Sequence, residues 1–107
     1  MLFYYAVKSK PIINDATYED AVLSGLNVSG TQIIESGCDS PGTLLQDATR
    51  EFRDLFNTAD IVISKGQGNF EGLSDCGRPV FYLLKAKCAM VARRFGVHQG
   101  DNVFILT

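Results

Sequence analysis

Short apolar runs alternate along the chain with segments whose apolar residues recur every three or four positions. The runs at residues 2–7, 31–34, 60–64, 79–84 and 103–106 predict five strands. Apolar residues recur at helical spacing in residues 18–26, 44–59, 70–76 and 86–95, which predicts four helices. Thr17 is the predicted N-cap of the first helix, and either Ser40 or Thr43 is that of the second. Because strands and helices alternate, the pattern predicts an α/β fold. We expect a three-layer, Rossmann-like sandwich with a mostly parallel sheet of about five strands and helices on both faces.

The bulk composition narrows the class of protein. A chain of 107 residues with 46% hydrophobic and 21% charged residues predicts a single α/β domain over residues 1–107. A net charge of −2 without a Lys/Arg tract argues against a nucleic-acid partner, and the apolar runs are too short to predict a membrane span. Three cysteines without a CxxC pair indicate reduced thiols and a cytoplasmic protein. The single histidine, His98, disfavours histidine-rich metal sites and Ser-His-Asp triads.

The loops that follow the strands are the places to look for chemistry, because ligands of parallel α/β sheets bind outside the carboxyl ends of the strands. The first loop contains Asp15 just before a helix. Its carboxylate either binds a hard cation such as Mg²⁺ or Mn²⁺, or only caps the helix together with Thr17. In the second loop, Pro41 and Gly42 are interpreted as turn residues. Cys38 in that loop has no cation beside it in sequence, which argues against a catalytic thiolate.

A glycine-rich segment, "ISKGQGNFEGL", follows the third predicted strand. Gly66, Gly68 and Gly72 give the pattern G-x-G-x-x-x-G, one residue longer than the dinucleotide-binding fingerprint. The next strand is followed by Lys85 and Lys87, where an NAD site needs an acidic residue for the ribose. A nucleotide-binding Rossmann domain is therefore the weaker interpretation.

The same segment suits a phosphoryl group better. Lys65 and the pair Lys85/Lys87 would lie on the same edge of the sheet, beside backbone amides freed by Gly66 and Gly68. Lysines at strand ends are more often simply solvated, so the residues alone leave both interpretations open.

Four segments together resemble one family. They are "VKSKPIINDATYEDA", "GCDSPGTLL", "ADIVISKGQGNFEGL" and "FYLLKAKCAMVA", and in this order they are similar to segments of the metal-dependent damage-control phosphatases, in their prokaryotic branch. The resemblance spans nearly the whole chain. It implies a phosphatase that acts on small phosphorylated metabolites such as sugar phosphates, with a divalent metal (Mg²⁺, Mn²⁺, Co²⁺ or Ni²⁺) as cofactor.

The resemblance also implies roles for individual residues. Asp15 of "NDAT" resembles the third metal ligand of the family and is the candidate catalytic residue. Lys87, rather than Lys85, resembles its second phosphate-binding lysine. The substrate-phosphate loop corresponds to Lys65, Gln67, Gly68 and Asn69. In such a site the metal polarises the phosphoryl oxygens, and the lysines and amides neutralise charge in the transition state.

The chain also departs from the family pattern. Family members carry an Asp-Asn-x-Gly-Glu motif upstream of the "NDAT" segment and a helical N-terminal region, and neither is found in this sequence. We therefore expect the C-terminal part of such an enzyme, with weak metal binding and little or no activity by itself. The alternative is a non-catalytic α/β module that binds phosphometabolites or a partner. A second copy of the chain or a complementary N-terminal chain is the expected protein partner.

Overall fold

The chain alternates between strands and helices, as its apolar pattern predicts. A computed structural model describes residues 2–13 and 15–107. Its elements are β1 (Phe3–Val7), α1 (Tyr18–Leu23), β2 (Thr31–Glu35), a 3-10 turn (Leu45–Asp47), α2 (Arg50–Thr58), β3 (Ile63–Lys65), α3 (Gln67–Leu73), β4 (Phe81–Lys85), α4 (Ala89–Phe95) and β5 (Asn102–Leu106). None of the helices in the described ranges is long and apolar enough to cross a membrane. The mixed α/β class and the five predicted strands are confirmed.

The five strands form two sheets rather than one. β1 pairs with β2 in parallel, and β3 pairs with β4 in parallel. β5 runs antiparallel to β4, so that Leu83 lies opposite Phe104. The prediction of a single sheet is therefore wrong for the described residues. The last strand, β5, also runs antiparallel to its neighbour, whereas a repeated βαβ unit would have made it parallel. Apolar spacing could not show this, because the alternation of side chains is the same in both directions of pairing.

The helices cover one face of the three-stranded sheet. Tyr82, Leu84 and Val103 point into a core that also contains Phe52, Phe56, Phe70, Leu73, Val91 and Ala92. The opposite face is open: the side chains of Ile63 and Phe104 are 66% and 64% exposed. Helices on both faces, as the sequence predicted, are thus not present on this sheet within the described residues.

Tyr82 lies at the centre of this core. It is 1% exposed, its ring meets the edge of Phe70 with centroids 5.0 Å apart, and its hydroxyl donates a hydrogen bond to the carbonyl of Leu73 at 2.9 Å. Burial, and secondarily the neighbouring Cys76 and Asp75, raise the pKa of the Tyr82 phenol to about 12. The phenol is therefore neutral across the physiological pH range.

The second predicted helix begins later than expected. Ala48 is extended, with φ −75° and ψ 159°, which separates the 3-10 turn from α2. Thr49 is the N-cap of α2, and its Oγ1 accepts a hydrogen bond from the N–H of Phe52 at 3.1 Å. The predicted caps Ser40 and Thr43 are therefore wrong. A threonine hydroxyl that can cap the backbone competes with helix continuation, and here capping prevails over the apolar spacing of residues 44–48.

Candidate functional site

Loops that follow different strands meet at one edge of the molecule. Lys8, directly after β1, is only 6% exposed, and its Nζ donates hydrogen bonds to the carbonyls of Ser40, at 2.8 Å, and Gly42. Its backbone N–H donates to the carbonyl of Ala16 at 2.9 Å. A buried lysine thus joins the loop after β1, which contains Asp15, to the loop after β2. Lys8 could not be predicted as a site residue from the sequence, because a lysine at a strand end is usually solvated.

The loop after β2 packs in turn on the glycine-rich segment. Gly42 has φ +79°, and a Cβ at this position would clash with the carbonyl of Gly68. A Cβ at Gly68 would lie 3.4 Å from the backbone nitrogen of Gly42. Gly42 is therefore more than the turn residue that the sequence predicted, since it permits backbone-to-backbone contact between the loop after β2 and the first turn of α3. The contact holds the N-terminal turn of α3 against residues 36–43.

Thr43 continues this contact along α3. Its Oγ1 donates a hydrogen bond to Oδ1 of Asn69 at 2.8 Å, and a Cβ at Gly72 would clash with its carbonyl oxygen. Gly72 does not fit the dinucleotide spacing. The need for a glycine at this position is instead explained by the close packing of α3 against the loop that contains Thr43. Asn69 also donates from Nδ2 to the carbonyl of Lys65 at 2.7 Å. Both polar atoms of the Asn69 amide therefore have partners within the protein.

Gln67 joins the loop after β3 to the loop after β4. Its Oε1 accepts a hydrogen bond from the N–H of Lys87 at 3.0 Å, and its Nε2 donates to Glu71 at 3.1 Å. On the other side, Nε2 of Gln99 donates to the carbonyl of Lys87 at 3.0 Å. Two side-chain amides thus fix the backbone of Lys87. Gln99 could not be predicted from the sequence, because nothing in a polar loop before the last strand indicates so distant a contact.

These contacts change the interpretation of the predicted phosphate loop. The side chains of Gln67 and Asn69 have structural partners, whereas Lys65 and Lys87 are exposed. The N–H of Gly66 donates to the carbonyl of Leu83 at 2.8 Å, so the expectation that this amide is free is wrong. The roles of Lys65, Gln67, Gly68, Asn69 and Lys87 as substrate contacts stay predictions.

Asp15 lies on the loop after β1 and is exposed. The capping of α1 is carried out by other residues: Thr17 is the N-cap, and the carboxylate of Asp20 accepts hydrogen bonds from the N–H and Oγ1 of Thr17 at 2.9 and 3.1 Å. Nearby Ile13 has φ +50°, a left-handed conformation that is strained for a β-branched residue. Helix capping therefore does not account for Asp15, whose role as a metal ligand stays a prediction. Asn14, beside it, lies outside the described residues.

The described part of the chain does not by itself supply enough ligands for a divalent metal ion. It contains no group of three or more His, Cys, Asp or Glu side chains placed to hold an ion. Mg²⁺ and related hard cations take about six oxygen ligands, of which a single carboxylate supplies one or two. These residues therefore support no catalytic step that passes through a metal.

Cys38 has a structural role. It is 1% exposed, and its Sγ donates to the carbonyl of Leu44 at 3.4 Å while its N–H donates to Oγ of Ser36 at 3.3 Å. The thiol is thus buried and hydrogen-bonded to the backbone, and the expectation that Cys38 is not a nucleophile stays a prediction.

Sequence comparison identifies the family. Residues 3–103 match the family described as the damage-control phosphatase ARMT1-like domain. The chain belongs to this family. The resemblance of its four segments to damage-control phosphatases is thereby confirmed, and the loops that meet at the strand ends lie within the matched residues.

Several archaeal proteins are similar to this member of the family. A damage-control phosphatase of Pyrococcus horikoshii is 49% identical over 101 residues, which cover 94% of this chain and 35% of that protein. An uncharacterised protein of Methanocaldococcus jannaschii is 43% identical over 103 residues, covering 92% of this chain and 34% of that protein. The crystal structure of a DUF89-family protein from P. horikoshii matches with a TM-score of 0.88 at 46% identity, covering 97% of this chain and 36% of that one. The chain thus spans about a third of the length of these relatives.

Proposed function

We propose that this chain is the phosphate-binding part of a metal-dependent phosphatase of small phosphorylated metabolites, with sugar phosphates as the substrate class. In this proposal Lys65 and Lys87 bind the phosphoryl group of the substrate. Gln67, Gly68 and Asn69 form the turn that keeps the two lysines in place. Family membership supports the phosphatase activity, and so does the name of the P. horikoshii relative, damage-control phosphatase.

The observation that carries the proposal is the hydrogen bond from the N–H of Lys87 to Oε1 of Gln67, at 3.0 Å. It ties the loop that bears Lys87 to the turn that directly follows Lys65. Both lysines are exposed. Two ammonium groups from adjacent strand ends would neutralise a phosphoryl dianion and its developing negative charge.

Asp15 is proposed as one ligand of the divalent metal, Mg²⁺, Mn²⁺, Co²⁺ or Ni²⁺. The remaining ligands would come from a segment that the longer relatives have and this sequence does not. We therefore propose that the 107-residue chain alone binds metal weakly and has little or no phosphatase activity. Its protein partner would be a complementary N-terminal chain or segment.

Binding of glucose 6-phosphate, followed by NMR or calorimetric titration of the chain, tests the phosphate site. Lys65→Ala and Lys87→Ala should each weaken binding about tenfold, because each removes a charge-assisted contact. Lys85→Ala is the matched control, since Lys85 is also exposed at the end of β4 and has no proposed role in phosphate binding. Equal losses in all three variants, or equal binding of glucose, would contradict the proposal.

Turnover of the same sugar phosphate in the presence of Mn²⁺ tests the second part of the proposal. The chain alone should show little or no release of phosphate. Robust, Asp15-dependent turnover would show that the chain is a complete enzyme. Binding without turnover by an assembled complex with the missing segment would instead favour the non-catalytic module.

A further inference from the structure

One face of the sheet β3–β4–β5 is largely apolar, and none of the described residues forms a layer over it. Most outward-pointing side chains of this outer face are apolar, namely those of Ile63, Phe81, Leu83, Phe104 and Leu106, and the polar ones are confined to one end of the sheet. Ile63, Leu83, Phe104 and Leu106 are 66%, 41%, 64% and 56% exposed. The strand register makes them neighbours, with Ile63 and Leu106 on either side of Phe81, and the rings of Phe81 and Phe104 stack at 5.8 Å between centroids.

A face of this composition is not typical of a sheet that meets water. Sheets with one solvated face alternate apolar and polar side chains, whereas sheets covered on both faces are apolar on both. Here the inner face of the same strands carries Tyr82, Leu84 and Val103, all buried. A contiguous apolar patch on a soluble unit marks a contact with another protein segment. The strands therefore have the sequence of a sheet that lies between two layers.

The outer face continues directly into the proposed phosphate site. Side chains alternate along a strand, so Lys65 projects from the same side of the sheet as Ile63, and Lys85 from the same side as Leu83. Both lysines are exposed. A segment that covers the apolar residues would thus meet two positive charges at the carboxyl end of the strands.

We propose that the outer face is the docking surface for the part of the longer relatives that has no counterpart in this chain. That part would contribute a helical layer with an apolar surface and at least one acidic group facing Lys85, the outward lysine that is not proposed to bind phosphate. The solved relative keeps the fold of this chain, with a TM-score of 0.88, over only 36% of its own length. The other residues of the relative are thus additional to this fold, and an open apolar sheet face is where a further layer packs.

Charge disfavours a second copy of the chain as the occupant. The outward positions of the three strands are Ile63, Lys65, Phe81, Leu83, Lys85, Asn102, Phe104 and Leu106. None of them is acidic. Two outer faces packed together would bury four lysine side chains at their margins without an acidic partner from either face. This inference rests on family membership and not on the phosphate site, so it stands or fails separately from the proposed activity.

Co-expression of the chain with the unmatched part of the P. horikoshii phosphatase, as a separate polypeptide, tests the proposal. Affinity capture and light scattering should give a soluble one-to-one complex. Leu83→Lys and Phe104→Glu should weaken the complex about tenfold or more, since each places a charge among the exposed apolar side chains of the outer face. Met90→Glu is the control, because Met90 is 73% exposed on α4, away from the outer face.

The chain alone provides a second measurement that does not depend on folding of the added polypeptide. It should be monomeric by light scattering, and it should bind the apolar dye ANS less strongly after Phe104→Glu than after Met90→Glu. A homodimer abolished by Phe104→Glu would overturn the proposal in favour of self-association. Failure to recover a complex, or a complex that is indifferent to Leu83→Lys, would also overturn it. None of these readouts requires phosphatase activity.

Discussion

Gly42 and Gly68 pack backbone against backbone, so that the loop after β2 rests directly on the first turn of α3. The contact tolerates no side chain at Gly42, where a Cβ would clash with the carbonyl of Gly68. Lys8 holds the same loop from the other side through the carbonyl of Gly42. The geometry of the candidate phosphate turn is therefore set by a buried lysine and by glycines, and not only by the residues proposed to touch a substrate.

Gly72→Ala should destabilise the protein although alanine favours helices. The added Cβ would clash with the carbonyl of Thr43, and overpacking of this kind costs about 1–3 kcal/mol. Gly68→Ala is the matched control within α3, because its Cβ would lie 3.4 Å from the nearest atom, and we expect a change within about 0.5 kcal/mol. Urea denaturation of both variants measures the difference. Equal stability of the two variants would show that the backbone at Thr43 can shift to accommodate the added methyl group at little energetic cost.

The sequence predicted the elements of this fold better than the contacts between them. The apolar runs located all five strands, and Phe52 and Phe56 are buried as the helical spacing of their segment requires. The roles of Gly42 and Gly72 could not be inferred, because each depends on a loop that is distant in sequence. The open outer face could not be inferred either, since apolar strands predict burial without stating which segment supplies it.

Thr49→Ala tests where α2 begins. The substitution removes the hydroxyl that accepts the N–H of Phe52, and loss of an N-cap costs about 1 kcal/mol. Ser40→Ala is the control, because the apolar pattern allowed Ser40 as a cap and the structure gives that position to Thr49. Thermal and urea unfolding should show a loss for Thr49→Ala alone. A comparable loss for Ser40→Ala would indicate that the helix extends back to the position predicted from spacing.

Tyr82 should make the stability of the protein depend on pH in the alkaline range. Its folded pKa of about 12 lies above the unfolded value of about 10, so folding favours the neutral phenol. This contribution is fully present below pH 10 and is lost as the pH rises through the folded pKa. Tyr82→Phe removes the titration together with the hydrogen bond to Leu73, at a cost of about 1 kcal/mol near neutral pH.

The measurement compares the free energy of unfolding of the two proteins from pH 8 to pH 12. Groups that do not interact with the Tyr82 hydroxyl titrate equally in both, so the stability advantage of the wild type over Tyr82→Phe should shrink above pH 10. Two parallel pH profiles would mean that the phenol does not retain its raised pKa in solution.

Lys8→Met should loosen the candidate site without touching a substrate. Methionine keeps most of the length and apolar stem of lysine, but it cannot donate to the carbonyls of Ser40 and Gly42. Buried carbonyls that lose a donor cost about 1–3 kcal/mol, and the loop they belong to is the one that supports Gly68. We therefore expect faster hydrogen exchange in residues 36–43 and weaker binding of sugar phosphate.

The control for this variant is Lys10→Met, which removes the same charge from an exposed position two residues further along the chain. If binding weakens equally in both variants, the effect of Lys8 is one of net charge, and the positioning role is wrong. If only Lys8→Met accelerates exchange in residues 36–43 and weakens binding, the lysine acts by holding the loop. The exchange rates are decisive, because a general electrostatic effect would leave them unchanged.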